Sequence, residues 1–461
     1  MPVLQPGDLA GWSSGAWTRL PSRAVQGVVH DTSRVSPGTL FVAIRGARVD
    51  GHDFVREAAA RGAAAALVRR DRAVDAGQYL PCLSVDDTVH ALGAIASGYR
   101  RQRGFRIIGV TGSAGKTTVK EMIARILAEQ YATARTMGNW NNEIGLPLSI
   151  LAMPENTRVG VLELGISHPG EMAPLCRIAS PDWGVITNVG PVHLEFFGSV
   201  EAIAREKGGL FSCLPDSGTA VVNVDEPCFR PLKAMAACRL LTVSSGAAAD
   251  YVLSIQDAAA GRGSVHECSS GEKVDLSLPV PGEHNLRNAA LAVAVARGFE
   301  VSWDALSLSL AHYKAPPMRW EKVCAGGVQM INDAYNANPM SVRAAIRAFS
   351  GIPWAGRRWL VLGDMLELGS GAEAEHEAIG RELASGAWCG VVTVGRLGGY
   401  MAEGALAGGI PAACVRRCGD AAEAGEFLAG KLRDGDFVLF KASRGMHLEG
   451  AVEIVTAKLG A

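Results

Sequence analysis

The segment Thr111-Gly112-Ser113-Ala114-Gly115-Lys116-Thr117-Thr118 constrains this chain more than any other feature. Glycines let successive backbone N–H groups turn into one concavity. A lysine beside them carries positive charge to terminal phosphates, and a threonine hydroxyl is a ligand for Mg²⁺. The flanks agree with this reading. Arg106-Ile107-Ile108-Gly109-Val110 reads as a short buried strand, and Val119, Met122, Ile123, Ile126 and Leu127 recur at the spacing of one helix face. Strand, glycine loop and helix N-terminus set backbone donors and the positive end of a helix dipole against an anion. One position departs from the pattern G-x-x-x-x-G-K-[ST]: Val110 stands where the first glycine is expected. The bland alternative is a glycine turn with an exposed lysine. The agreement of strand, loop and amphipathic helix favours an ATP site.

A length of 461 residues suggests about three domains, each able to bury a core. Hydrophobic residues at 48% and charged residues at 20% describe a globular chain. Lys+Arg is 45 and Asp+Glu is 46, and that balance gives no case for a nucleic-acid or membrane-surface partner. The ten cysteines show no zinc-site spacing, Cys414 and Cys418 being the nearest pair, so they are expected as small buried residues of a reducing compartment. The N-terminus lacks a basic segment followed by an apolar one, so no secretion signal is expected. The most apolar stretch, 289–296, lies between Arg287 and Arg297 and is too short to span a bilayer. A cytoplasmic, soluble protein is the expectation.

Short apolar runs alternate with helical patterns throughout, which predicts an α/β protein with parallel sheets. Strands are expected at 40–44 and 65–68, then at 159–162, 185–187 and 220–224, and finally at 328–331, 359–362, 391–394 and 437–440. The polar run 100–104 is a candidate hinge, and Ala315-Pro316-Pro317 a stiff linker. The expected division is 1–102, 103–316 and 317–461.

Several polar clusters follow these strands. Glu163 ends a strand, where a carboxylate faces the ligand crevice of a parallel sheet; it is a natural Mg²⁺ ligand or, equally, a loop cap. His193, in Thr187-Asn188-Val189-Gly190-Pro191-Val192-His193, is a candidate metal ligand or phosphate contact, against the commoner structural histidine. Lys207 sits on a predicted helix, where periodicity alone favours a solvated charge. Asn288, in Gly282-Glu283-His284-Asn285-Leu286-Arg287-Asn288, suits a base edge, with His284 stacking, or else an N-cap. Asn332-Asp333-Ala334-Tyr335-Asn336-Ala337-Asn338-Pro339 crowds polar groups into one turn, with Pro339 opening a helix through Phe349. Lys441, Ser443 and Arg444 follow the last strand, their cations suited to a carboxylate or phosphate.

Taken together, the loop at 111–118, Asn139-Trp140-Asn141-Asn142-Glu143-Ile144-Gly145, Glu163-Leu164-Gly165, 188–193, 282–288 and 333–339 resemble the Mur ligases of peptidoglycan synthesis, end to end. The resemblance implies an N-terminal UDP-sugar-binding α/β domain, a central ATP-binding parallel-sheet domain and a C-terminal Rossmann-like α/β domain for the incoming amine. It implies ATP on residues 111–118, with Thr117 and Glu163 on Mg²⁺, His193 near a second metal and Lys207 carried as a carbamate assisting it. Asn288 matches the adenine position, and Arg319 and Asp333 match phosphate and ribose contacts. Thr32, Gly46, His52, Asn142, Asn336, Asn338, Lys441, Ser443 and Arg444 fall on substrate-binding motifs. Within the family, the 333–339 form and the absence of an Asp-Asn-Pro-Arg tetrapeptide point to addition of D-alanyl-D-alanine to UDP-N-acetylmuramoyl-tripeptide by a monomer. One departure stands out: Ser33 replaces the usual arginine after Asp31-Thr32, with Arg34 one place later. A sister ligase adding a single amino acid to a UDP-muramoyl peptide or to folate, a phosphotransferase using the same loop and a non-catalytic nucleotide binder are the alternatives.

Overall fold

The apolar runs assemble into three open sheets in the computed structural model, which describes residues 2–460. In the first, strands Val28–Val29, Leu40–Val42, Ala65–Arg69 and Cys82–Val85 lie side by side and parallel, with Ala16–Trp17 antiparallel at one edge. The third runs Glu321–Ala325, Val328–Asn332, Phe437–Lys441, Arg358–Gly363, Gly390–Val394, Val415–Cys418, parallel after its first pair. Their near-continuous burial is that of strands covered on both faces.

The middle sheet has nine strands. Arg106–Thr111 pairs in parallel with Val159–Glu163 on one side and Trp183–Ile186 on the other. The C-terminal ends of these three strands therefore deliver residues 111–118, 163–165 and 187–193 to one crevice, the position where open parallel sheets bind ligands. Helix Lys116–Leu127 buries Val119, Met122, Ile123, Ile126 and Leu127, the face expected from their spacing. Beside it, helix Glu283–Gly298 is buried over nearly its whole length, which its run of alanines permits by presenting little bulk on any side.

Three expectations fail in whole or in part. The run 100–104 is no hinge: it is the last turn of helix Thr88–Arg103, capped by Gly104 in the left-handed region. The middle sheet is also not purely alternating. Tyr251–Asp257, Arg262–Glu267 and Lys273–Ser277 extend it as an antiparallel meander. The cysteine expectation holds for Cys82, Cys176, Cys228 and Cys418, which are buried, and fails for Cys213, Cys268 and Cys324, which are exposed. Among the described residues, no helix is long and apolar enough to cross a membrane.

Candidate active site

The glycine loop begins one turn later than the general pattern suggests. Val110 is inside the sheet, paired in register with Glu163 and Val185. The turn is made instead by Gly112 and Gly115, both at positive φ. A Cβ on Gly112 would lie 1.9 Å from Thr187 Oγ1, and one on Gly115 2.6 Å from Asn288 Oδ1, so only glycine fits either place. The loop is held from the side by the 187–190 turn. Asn188 Oδ1 accepts from Ala114 N (2.9 Å), its Nδ2 donates to Ala114 O (3.0 Å), and Gly190 N donates to Ser113 Oγ (2.9 Å). Thr187 and Thr111 are consumed in the same frame, donating to Ala114 O and Leu164 O. Lys116 Nζ folds back onto Gly112 O at 2.8 Å. Burial lowers its pKa, opposed by Glu163 and reinforced by Arg319.

A polar corner adjoins this loop. Thr117 Oγ1 donates to Glu163 Oε2 (2.8 Å), and Asn141 Nδ2 donates to Glu163 Oε1 (2.9 Å). Lys120, fully buried one turn along the helix, is 3.0 Å from Glu121 Oε1 and 3.9 Å from Glu163 Oε2. The hard oxygens of Thr117 and Glu163 fit Mg²⁺, which takes one or two protein ligands and completes its shell with phosphate and water. No three His, Cys, Asp or Glu side chains converge as a ligand set among the described residues. His193 stands in the left-handed region with Nδ1 2.6 Å from Glu367 Oε2, without hydrogen-bond alignment. Burial lowers the His193 pKa, opposed by Glu367 and assisted by Lys116 and Lys207. Lys207 is not solvated. It is 1% exposed, makes no hydrogen bond or ion pair among the described residues, and burial followed by repulsion from Lys116 lowers its pKa well below that of a free lysine.

The opposite wall comes from the third sheet. Lys441 Nζ meets Asp333 Oδ2 at 2.7 Å and Asn336 O at 3.1 Å, while Asp333 Oδ1 accepts from Trp320 N. The Arg319 guanidinium lies 4.1 Å over the Tyr335 ring. Both walls line one cavity of about 890 Å³, with Ser113 to Thr118, Asn142, Glu163, His193 and Asn288 on one side and Arg319, Asp333, Asn336, Asn338 and Lys441 on the other. Asn288 is inside helix Glu283–Gly298, not at its cap.

Other expected residues serve the framework. Asn338 caps helix Pro339–Gly351, forming a reciprocal pair with Ser341. Ser443 bridges Ala337 O and Leu366 N, and Arg444 pairs with Glu449. Both ring nitrogens of His52 are occupied, by Asp50 and by Arg69 N, and Gly46 closes a turn onto Val49. Thr32 opens a 3-10 turn capped by Asp31. Arg34, the residue beside Ser33, lies 4.9 Å over the Trp140 ring. Thr32, Gly46 and His52 do not reach the cavity.

Sequence reasoning missed Asn141, Asn223, Glu226 and Arg347, all of which line the cavity. Asn141 was legible as part of a quoted motif; Arg347, on the exposed side of a helix, gave no local signal.

A strand–glycine-loop–helix site facing a second α/β unit across a shared cavity defines a phosphate-loop nucleotide enzyme with a separate acceptor unit. The comparisons sharpen that class. Residues 24–100 match the family model described as Mur ligase family, catalytic domain; 110–296 match Mur ligase middle domain; and 318–444 match Mur ligase, glutamate ligase domain. The UDP-N-acetylmuramoyl-tripeptide--D-alanyl-D-alanine ligase of Bacillus subtilis is 39% identical, covering 93% of each chain. That of Escherichia coli is 37% identical over 80% of this chain and 81% of its own. Among solved structures, MurF from Acinetobacter baumannii matches with a TM-score of 0.90, 29% identity and 99% of each chain. MurF from Thermotoga maritima in complex with ADP matches at 0.80, with 31% identity over 94% of this chain and 98% of that one. The chain belongs to the Mur ligase family.

Proposed function

We propose that this chain is an ATP-dependent ligase that joins D-alanyl-D-alanine to UDP-N-acetylmuramoyl-tripeptide, giving the pentapeptide precursor of peptidoglycan, ADP and phosphate. The observation that carries the reading is the shared cavity: a phosphate loop and an acidic Mg²⁺ corner face the Asp333–Lys441 wall of another unit. The names of the relatives support the choice of substrates. On this reading residues 1–102 hold the UDP-sugar, 103–316 hold ATP and 317–461 hold the dipeptide. The protein acts in the cytoplasm, where these nucleotide substrates are made.

A carboxylate is a poor electrophile, and phosphorylation by ATP turns it into an acyl phosphate with a good leaving group. Two anions must approach for that step. Lys116 screens their repulsion at the terminal phosphates. Backbone N–H groups of 113–116 orient the phosphate chain, and Asn288 sets the base edge against Gly115. Thr117 and Glu163 would hold Mg²⁺, which would neutralise phosphate charge. The free amine of the dipeptide then attacks the acyl carbon, the C–O bond to phosphate breaks, and the amine proton is lost. Asp333, Arg319 and Lys441 shape that side of the cavity, and closure keeps water from the intermediate.

Lys207 as a carbamate belongs to the same proposal. Burial lowers the Lys207 pKa and so favours the neutral amine, whose free electron pair attacks carbon dioxide, gaining a carboxylate and releasing a proton. Lys207→Ala is expected to lower turnover about 100-fold or more, with partial rescue by added short carboxylates. Full activity without rescue removes Lys207 from the mechanism.

The test supplies ATP and UDP-N-acetylmuramoyl-tripeptide with either D-alanyl-D-alanine or single amino acids, and follows phosphate release and product mass. An amide product that requires the dipeptide is expected. Phosphate release with single amino acids only, or a stable phosphorylated product with no amide, overturns the assignment.

A further inference from the structure

The middle and C-terminal units share one buried apolar cluster, but polar ties between them are few among the described residues. Beyond the linker turn from Arg319 N to Pro316 O, no hydrogen bond crosses the boundary among the described residues, and one close polar contact does: Glu367 Oε2 to His193 Nδ1, 2.6 Å. The two residues meet from opposed turns, and each is a non-glycine residue in the left-handed region, at φ 64° and 51°. Such conformations persist where surrounding contacts enforce them, and they cluster at functional sites. Next to them, a Cβ on Gly369 would lie 3.1 Å from the Glu195 backbone, so these turns are in contact along their length.

Glu367 is also mounted rigidly. Its loop is fixed to the C-terminal unit by Met365 N to His376 Nε2 (2.9 Å), Leu366 N to Ser443 Oγ (3.0 Å) and Ser443 N to Asp364 O (3.1 Å). Ser443 Oγ in turn donates to Ala337 O, in the loop that lines the cavity. A chain of hydrogen bonds thus runs from the acceptor wall to the Glu367 loop, and the close Glu367–His193 contact carries it across, beside the phosphate loop.

We propose that Glu367 is a positioning residue: it fastens the C-terminal unit to the His193 turn and so keeps the cavity closed while the activated acyl group awaits the amine. This rests on the ligase reading. It adds that the fastening, and not nucleotide binding, depends on Glu367.

The test uses the full-length chain and Glu367→Ala, with Glu373→Ala as a control on an exposed glutamate of the same unit. Phosphate released per amide formed, KM for D-alanyl-D-alanine, ADP affinity, thermal midpoint and the X-ray scattering radius with a non-hydrolysable ATP analogue and the UDP-peptide are measured. Glu367→Ala should raise phosphate per amide about fivefold, raise KM for the dipeptide and enlarge the liganded radius. Its ADP affinity and thermal midpoint should match wild type, as should every property of the control. Glu367→Gln keeps an acceptor oxygen and should restore most of the ratio, which also serves if the alanine variant fails to fold. A wild-type ratio and radius in Glu367→Ala, or a leak in Glu367→Gln equal to that of a folded Glu367→Ala, overturns the proposal. A wild-type chain that contracts on its ligands yet forms no amide refutes the ligase reading instead, and the radius of Glu367→Ala then still decides the fastening.

Discussion

The two boundaries between the three sheets are built in different ways. Between the first and second, helix Thr88–Arg103 packs across helices Gly145–Leu151 and Met172–Ala179, and one apolar core runs through both units. Asp182 Oδ2 accepts from Arg100 Nη2 and from Ile107 N, each at 2.7 Å, and Ser97 donates to Arg177 O. Between the second and third an apolar cluster is also shared, but among the described residues the polar ties are few. Gly190 faces the Met340 methyl and Gly282 faces Ala348, with the single Glu367–His193 contact beside them. The first boundary is a weld of apolar packing and buried polar ties; the second, apolar but with few polar ties, is an articulation with the reactive cavity inside it. A catalyst that must admit three substrates and then exclude water needs one fixed wall and one movable wall.

The sharpest way to break this comparison is to force a wedge into the weld. A Cβ on Gly93 would already lie 3.0 Å from Ile178 Cδ1, so Gly93→Leu should cost about 3 kcal/mol in urea unfolding. Asp182→Ala, which strips two donors of their acceptor, should cost about 2 kcal/mol and leave the chemistry of the folded fraction intact. Equal loss of activity and stability in both variants would instead make the weld part of the mechanism.

The articulation offers a pH test. His284, which lines the cavity, has its pKa lowered to about 4 by burial, opposed by Asp333 and reinforced by Lys441 and Arg347 across the boundary. Unfolded, it titrates near the ordinary imidazole value of 6.5. Between those values the unfolded chain binds more protons, so stability falls as pH drops from about 6.5 to about 4. That slope should flatten in His284→Gln; an unchanged slope would mean the third unit does not bury this ring. The smallest effect is expected at Gly190→Ala, where the new methyl meets only the far end of Met340, 3.2 Å away: less than about 0.5 kcal/mol, against the larger cost of the wedge in the weld.

Much of this was legible locally. Helix Lys116–Leu127 was visible in its apolar spacing, and the parallel strands in short runs such as Trp359-Leu-Val-Leu362, now within Arg358–Gly363. What escaped is long-range. The meander from Tyr251 to Ser277 alternates buried and exposed positions clearly only in its last two short strands, in a stretch whose many polar residues read as loop. Arg100 to Arg103 read as a hinge because four polar residues cannot announce that Asp182, far away in sequence, receives one of them. Lys207 read as solvated because periodicity is blind to the helices that cover it. Glu367 carried no signal, since its meaning lies in a turn 174 positions upstream, at His193.

Helix Thr88–Arg103 passes into strand Arg106–Thr111 with only Gly104 and Phe105 between them. The first two units are therefore threaded on one stiff rod. A chimera with a sister enzyme joined near residue 103 would inherit half of a packed helical face and aggregate through Ile95, Leu92 and Tyr99, which are sealed in the native chain. Exchange at the proline pair 316–317 cuts between elements, so acceptor units traded there keep their own sheet whole and need only match the apolar residues they share with the middle unit.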